Sequence, residues 1–478
     1  MDYSQFFNMP QELGLLLVFL LVFLYDLFLP KKTQCGLAAF TAVVFGVFTI
    51  AAPFFTAAPA FSGMFEGNTA TSAVKCVLNI GMLIVLVQSV KWANSEFITV
   101  RRGEFYSLLL VTLLGMYFMV SARHFLLFII GLEMASLPIA ALVAFDKRRY
   151  ESHEAAAKYL FTAIFSSAVL LMGLSFVYAL SGSLYFDDIA YCVIGDTSAL
   201  LIVALAFVIA GIGFKLSLVP FHLWTADVYQ GAPTSVTSYL SVISKGAAAF
   251  SFLVVLSQAF GAVYSQVWEW MLYALIILTI TIGNLFAIRQ TNLKRFLAFS
   301  SISQAGYIVL GVIACAALGM TSLMFYVLVY IFSNLAAFGV IQAIENNCGK
   351  VNIDDYNGLY KTNPMLSVAM MLAMFSLAGI PPFAGFFSKF FIFTSALQAG
   401  TVSMYVLVLI ALINTIVSLY YYLLVVKAMF IHQDDCVIAP FKSALSERIA
   451  LLVCVIGIIL IGIVPFFYTF LEAASVLA

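Results

Sequence analysis

Runs of roughly twenty apolar residues follow one another along nearly the whole of this chain, separated by short breaks. One such run, wound as an α-helix, crosses the hydrocarbon layer of a bilayer with every backbone polar group satisfied internally. Fourteen runs can be read, near 11–30, 35–53, 75–94, 104–121, 124–145, 155–181, 199–220, 234–257, 265–288, 296–318, 320–344, 366–398, 402–430 and 449–471. The 478 residues are 64 % hydrophobic and 9 % charged, against about 25 % charged in soluble proteins. No soluble fold could hide that much apolar surface. The chain is therefore expected to be an all-α polytopic membrane protein forming a single transmembrane domain, 1–478. A formal net charge of zero gives no basis for nucleic-acid binding. The first run lacks a basic flank and a small-residue cleavage site, so it is expected to be retained as a span.

The basic residues sort by side. Loops after odd-numbered spans hold Lys31, Lys32, Lys91, Arg101, Arg102, Lys147, Arg148, Arg149, Arg289, Lys294, Arg295, Lys350, Lys361, Lys427, Lys442 and Arg448. The opposite side holds Lys75 and Arg123. One helix more or fewer would scramble this division. The positive-inside rule puts the basic side in the cytoplasm and both termini outside. The seven cysteines (Cys35, Cys76, Cys192, Cys315, Cys348, Cys436 and Cys454) are scattered and read as small apolar residues. No cofactor or metal site is expected in this chain. The loops are too short to form a nucleotide-binding or metal-binding domain, and no phosphate-binding glycine motif appears.

Four charges sit inside apolar runs: Glu133, Lys215, Lys245 and Lys389. A charge at the centre of a membrane helix costs roughly 2.5–3.5 kcal/mol on insertion scales. A chain that only had to span the membrane would use leucine there. Taking an ammonium out of water favours its neutral form, so a buried lysine can take up and give up protons. Glu133 reads as a carboxylate partner whose pairing with a lysine would control that release. A structural ion pair is the alternative for Glu133, and snorkelling to the surface is the alternative for Lys215. Lys215, however, lies about fifteen apolar or small residues deep.

Two spans look interrupted. Pro220 breaks the seventh just after Lys215, and Gly379-Ile380-Pro381-Pro382 breaks the twelfth just before Lys389. Broken spans free backbone groups at membrane depth, which is tolerated only where they line protein or water. His222, seven residues after Lys215, suits a relay or else simply satisfies freed backbone. The two breaks lie five spans apart, an odd number, so repeats of that size would be inverted in the membrane. The expected organisation is three N-terminal helices in 1–103, one five-helix repeat in 104–257, a second in 265–430, and a last helix at 449–471. Ser301, Ser303, Gln304, Tyr307, Ser333 and Asn334 could carry a water wire or glue helices. Lys158 reads as interfacial, in the first turn of its helix beside Glu151 and Glu154. Asp26 reads as a surface-pairing residue, and Arg289, Lys294 and Arg295 as a topogenic loop.

Three stretches carry a resemblance. They are Lys215-x4-Pro220-Phe221-His222-x-Trp224-x2-Asp227-x-Tyr229-x-Gly231-Ala232-Pro233-Thr234 with Ser244-Lys245; Lys294 to Tyr307; and Leu377 to Phe386 with Lys389. Over essentially its whole length the chain resembles the antiporter-like membrane subunits of respiratory complex I. It is most similar to the subunit N branch, the counterpart of mitochondrial subunit two. A lysine follows the twelfth-span break, and no long lateral helix follows the last span. One departure is Thr225-Ala226-Asp227, where the family often has a proline before the aspartate.

The resemblance implies a proton-pumping module of a complex that oxidises NADH and reduces quinone. It implies that Glu133 pairs with Lys215, that Lys245 links two half-channels, and that Lys389 stands on the exit route. It further implies that NADH, FMN, the iron–sulfur clusters and quinone are held by partner subunits. The implied surroundings of this chain are those subunits, the lipid bilayer and protons. A subunit of a multi-subunit cation/proton antiporter of the same ancestry shares these residues. A purely structural role for the charges is the third reading.

Overall fold

The computed structural model describes residues 3–28, 36–263, 267–314, 317–431 and 438–476. Lys31, Lys32, Cys35, Cys315 and Cys436 lie outside them. The helices that build the bundle are α1 (Pro10–Phe28), α2 (Leu37–Ala51), α3 (Thr69–Ala93), α4 (Arg102–Val120), α5 (Phe125–Val143) and α6 (Tyr150–Ser181). They continue as α7 (Ala199–Leu216), α8 (Leu223–Gly231), α9 (Thr234–Ala259), α10 (Glu269–Ile288), α11 (Leu293–Ile313) and α12 (Ala317–Cys348). The last five are α13 (Pro364–Ala378), α14 (Ala384–Leu397), α15 (Val402–Phe430), α16 (Leu445–Ile463) and α17 (Phe466–Val476). Among the described residues, thirteen helical stretches are long and apolar enough to cross a membrane. The short apolar pair α13 and α14 completes a fourteenth span, as the hydropathy pattern anticipates. The protein is an all-α, multi-pass membrane protein.

Both expected interruptions are present. The seventh span ends its first half at Leu216, where Ser217 takes a left-handed φ of 63°, and resumes at Leu223. The twelfth ends at Ala378, where Gly379 has φ 88°, and resumes at Ala384. The Val219–Pro220 and Pro381–Pro382 peptides are cis.

Burial is graded across the bundle. The apolar stretches of α11 and α12 are enclosed by protein and that of α9 is nearly so, whereas α1, α2, α6 and α15 expose broad apolar faces. α12 is the hub, packing against α3, α11, α13, α14, α16 and α17. α4 packs against α5 at backbone contact, and glycine permits it. A Cβ on Gly115 would lie 2.5 Å from the Ala135 backbone nitrogen, and one on Gly131 would lie 2.7 Å from the Gly115 carbonyl oxygen. Small residues let membrane helices approach to backbone contact, where packing replaces the missing hydrophobic drive.

Several boundaries differ from the sequence reading. Asn68 and Thr71 form a reciprocal cap that starts α3 at Thr69. Lys75, read as lying on the outer side's loops, is therefore six residues inside α3 and fully buried. Asn292 caps α11, so Lys294 and Arg295 stand in its first turn rather than in a loop. Lys158 lies in the third turn of α6, since that helix begins at Tyr150. The expected final span at 449–471 is divided at Val464-Pro465 into α16 and α17, because proline cannot continue the backbone ladder.

The α4–α5 contact makes a direct prediction. Gly131→Leu forces side-chain atoms into the α4 backbone, and overpacking of this kind costs about 1–3 kcal/mol. Thermal unfolding of the detergent-purified chain is expected to show a lowered midpoint. An unchanged midpoint would mean that the helices are not in backbone contact.

Candidate functional site

The buried lysines lie on the enclosed helices and beside the two breaks. Lys215 occupies the last turn of α7 and is 6 % exposed. Its Nζ donates to the Tyr159 hydroxyl at 3.2 Å and stands 5.8 Å from the centre of that ring. At the break beside it, side chains partner two backbone groups. The Trp224 indole donates to the Phe214 carbonyl at 3.2 Å, and the Val219 amide donates to Thr279 Oγ1 at 3.0 Å. These bonds are the satisfaction that irregular backbone at membrane depth requires.

Lys245 is 1 % exposed and begins a regular α segment of α9. The preceding turn, Leu240–Ser244, is a π-bulge, a local widening that is frequent at functional positions. Lys245 Nζ donates to Ser301 Oγ of α11 at 2.7 Å and faces the Tyr229 ring at 5.6 Å. His222 stands at the start of α8, within electrostatic reach of Lys245. Its Nδ1 is buried and has no hydrogen-bond partner among the described residues.

Lys389 follows the second break. Its Nζ donates to the carbonyls of Leu377 and Ala378, each at 3.0 Å. These are the final carbonyls of α13, the negative end of that half-helix. The Tyr307 ring lies 5.2 Å away. A cavity of about 10 Å³, close to the volume that holds one water, is lined by Lys389, Ser388, Ser376, Ser333, Tyr330 and Gln304 among others. Ser333 and Ser376 bond each other at 2.7 Å, and Gln304 accepts from Tyr326. Of the polar residues of α11 and α12 that suggested a water wire, Ser301 thus touches Lys245, and Gln304, Tyr307 and Ser333 lie near Lys389.

Glu133 is placed differently from its expected pairing. It lies half-buried on α5 and makes no ion pair among the described residues. Lys215 bonds Tyr159 instead, and both Lys215 and Tyr159 lie within electrostatic reach of Glu133. Glu133 and Lys215 therefore make no direct contact among the described residues.

Carboxylates do pair with lysines elsewhere. At the basic end of the bundle Glu345 meets Lys294 at 3.2 Å and Arg149 at 2.8 Å, and accepts from Thr234. Asp227 meets Lys158 at 2.6 Å and Arg295 at 2.7 Å on a more open face, which agrees with an interfacial Lys158. At the opposite end Lys75 meets Glu12 at 2.6 Å, fully enclosed. By contrast, Lys215, Lys245 and Lys389 have only uncharged oxygens as hydrogen-bond partners among the described residues.

The transmembrane family described as NADH:quinone oxidoreductase/Mrp antiporter matches residues 122–418, a stretch that holds all five candidate residues. NADH-quinone oxidoreductase subunit N of Phocaeicola vulgatus is 52 % identical over 478 residues, covering both chains completely. The chain belongs to the NADH-quinone oxidoreductase subunit N family. A chain of respiratory complex I from Thermus thermophilus with bound aureothin superposes with a TM-score of 0.80 at 30 % identity, covering 95 % of this chain and 97 % of that one. A chain of the Mrp complex from Dietzia sp. DQ12-45-1b shares the fold, with a TM-score of 0.82 at 20 % identity and coverage of 99 % and 97 %.

Sequence reasoning about this subunit N relative missed two buried charged groups. Glu12–Lys75 was hidden because hydropathy starts the third span at residue 75. The Asn68-x-x-Thr71 cap was the available signal. Glu345 and Lys294 were hidden because both lie at helix ends, where charge is ordinary.

The neutral partners of the lysines can be tested one at a time. Ser301→Ala removes the hydroxyl on which Lys245 depends, and a lost hydrogen bond to a charged group costs about 1.5–3 kcal/mol. Gly379→Ala puts a Cβ at a left-handed position, 3.2 Å from Lys389 Cδ, at a cost of about 1–2 kcal/mol. Both variants are expected to lower the unfolding midpoint in detergent. Wild-type stability in either would contradict the corresponding contact.

Proposed function

We propose that this chain translocates protons as a membrane-arm subunit of NADH-quinone oxidoreductase, through Glu133, Lys215, Lys245 and Lys389. Membership of that complex follows from the family, and with it a place as a multi-pass protein of a bacterial inner membrane among other complex I subunits. On this reading NADH, FMN, the iron–sulfur clusters and quinone are handled by those partners. This chain contributes only groups that gain and lose protons.

The observation that carries the proposal is the contrast in partners. A lysine clamped to a carboxylate inside a protein is held in its charged form. A buried lysine facing only hydroxyls and carbonyls has no such clamp, and the same oxygens can hold it in either protonation state. The three axis lysines are of this second kind. Glu133, set apart from Lys215, biases the lysine by its field without locking it. His222, whose buried Nδ1 has no hydrogen-bond partner among the described residues, is the proposed relay from Lys215. The small cavity and the Ser333–Ser376 contact support a path onward to Lys389.

The two breaks support inverted five-helix repeats over 104–257 and 265–430. They lie at matching places, and a left-handed residue closes the first half-helix in each. Both termini are proposed to face the periplasm, because the basic loops gather at the other end of the bundle. A reporter active only in the periplasm is expected to be active when fused to the C-terminus. Activity only from a cytoplasmic reporter would reverse the orientation.

The kinship with Mrp antiporters leaves a cation/proton antiporter subunit as the alternative. Purification in mild detergent separates the two, since flavin and iron–sulfur proteins should accompany a complex I subunit. The proton path is tested by Lys215→Ala and Lys245→Ala in inverted membrane vesicles. The complex is expected to assemble, with proton pumping and coupled quinone reduction both impaired. Full pumping by an assembled variant would remove that lysine from the path.

A further inference from the structure

Between Lys245 and Lys389 the direct contacts end at a hydroxyl on one side and at two carbonyls on the other. Lys245 Nζ donates to Ser301 Oγ at 2.7 Å. Lys389 Nζ donates to the Leu377 and Ala378 carbonyls, each at 3.0 Å. An ammonium has three hydrogens to donate, so Lys389 has one to spare beyond these carbonyls. It also borders the cavity of about 10 Å³, room for about one water.

One side chain on the wall of that cavity stands apart from its neighbours. Tyr330 of α12 is 4 % exposed, and its hydroxyl has no hydrogen-bond partner among the described residues. Buried hydroxyls are almost always satisfied, if need be by internal water. The other polar groups of the wall are tied to protein. Tyr326 donates to Gln304 Oε1, and Gln304 Nε2 donates to the Leu377 carbonyl at 3.3 Å. Ser333 and Ser376 bond each other at 2.7 Å, and Ser388 donates to the Gly385 carbonyl at 2.9 Å. The Tyr330 hydroxyl alone among these is able to turn without breaking a bond to a described residue. A phenol hydroxyl both donates and accepts, so it can receive a hydrogen from one neighbour and pass one to another.

Helix geometry sets Tyr330 between the two lysines. α11 and α12 are consecutive spans and run antiparallel, and the Tyr326–Gln304 bond fixes their register. Ser301 lies one turn before Gln304, and Tyr330 lies one turn after Tyr326. In an antiparallel pair these two therefore face each other, and their hydroxyls are close neighbours. On one side Tyr330 meets the serine that holds Lys245; on the other it borders the cavity that Lys389 borders.

We propose that the cavity binds one water molecule between the Tyr330 hydroxyl and Lys389 Nζ, and that Tyr330 carries protons from the Lys245–Ser301 pair to that water. The inference rests on the proton-translocating reading above and names a carrier within it. In one transfer the Lys245 ammonium gives a proton to Ser301 Oγ, which passes its own hydrogen to the Tyr330 oxygen. Tyr330 passes its hydrogen to the water, and the water passes one to the neutral amine of Lys389. Each oxygen gains one hydrogen and loses one. Lys245 ends as the amine and Lys389 as the ammonium. Rotation of the O–H groups resets the line.

The test has two readouts, both on the assembled complex. An electron cryo-microscopy map that resolves ordered water is expected to show one water within hydrogen-bonding distance of both the Tyr330 oxygen and Lys389 Nζ. A map without such a water overturns the proposal. In inverted vesicles Tyr330→Phe, which keeps the ring and removes the hydroxyl, is expected to lower the protons pumped per NADH oxidised. Tyr421→Phe removes an equally buried hydroxyl, on α15 and bonded to Asn284, and is expected to keep the wild-type ratio. An equal loss in both variants would mark a general packing effect and overturn the role of Tyr330. If Tyr330→Phe fails to assemble, the map of the wild-type complex decides. Lys245→Ala, measured alongside, separates the two levels. With Lys245→Ala impaired and Tyr330→Phe at the wild-type ratio, only the carrier role is refuted. With Lys245→Ala at full pumping, the parent reading falls and the carrier with it.

Discussion

Three ammonium groups held by uncharged oxygens are the constraint around which this structure is built. Lys215 rests on a tyrosine hydroxyl, Lys245 on a serine hydroxyl, and Lys389 on two helix-terminal carbonyls. An ion in a dry interior needs either a counter-charge or several oriented dipoles. The dipoles here are a half-helix end at Lys389, a tyrosine hydroxyl of α6 at Lys215 and a serine hydroxyl of α11 at Lys245. Regular, uninterrupted spans would have no free carbonyl to offer at that depth. The breaks, the glycine at 379 and the enclosed apolar stretches of α11 and α12 all follow from the need to house these groups.

The remaining charges show what the alternative looks like. Glu345 with Lys294 and Arg149, and Asp227 with Lys158 and Arg295, are multiply tied and lie at helix starts or ends near one face of the bundle. Networks of this sort fix helix register and cost little where water is near. Glu12–Lys75 belongs to neither group, being deeply enclosed yet singly tied. On the proposed reading, placement and number of partners together, rather than burial alone, separate charges that hold the fold from charges that change state.

Much of this was legible in the sequence, for definite reasons. Hydropathy finds spans because the bilayer sets their length, and proline finds breaks because it removes a donor. Lys215, Lys245 and Lys389 stand out because a charge in an apolar run has no bland explanation at mid-depth. The same rule fails at span ends. Lys75 looked like a loop residue because the stretch Asn68-Thr69-Ala70-Thr71-Ser72 ahead of it is mostly polar, and only the Asn68 cap reveals that the helix has already begun. Contacts between distant segments are a different matter. No spacing announces that Tyr159 will meet Lys215, that Ser301 will meet Lys245, or that Glu133 will stand back from its lysine, because each depends on how separate helices pack.

The account turns on protonation state, and nitrogen-15 magnetic resonance of lysine-labelled complex reads that state directly. Spectra would be taken in native membranes, at rest and during NADH oxidation, with the resonances of Lys215, Lys245 and Lys389 assigned by single replacement. The account predicts that at least one of the three appears as a neutral amine and that the pattern among them changes on turnover. All three remaining ammonium in both conditions would contradict it.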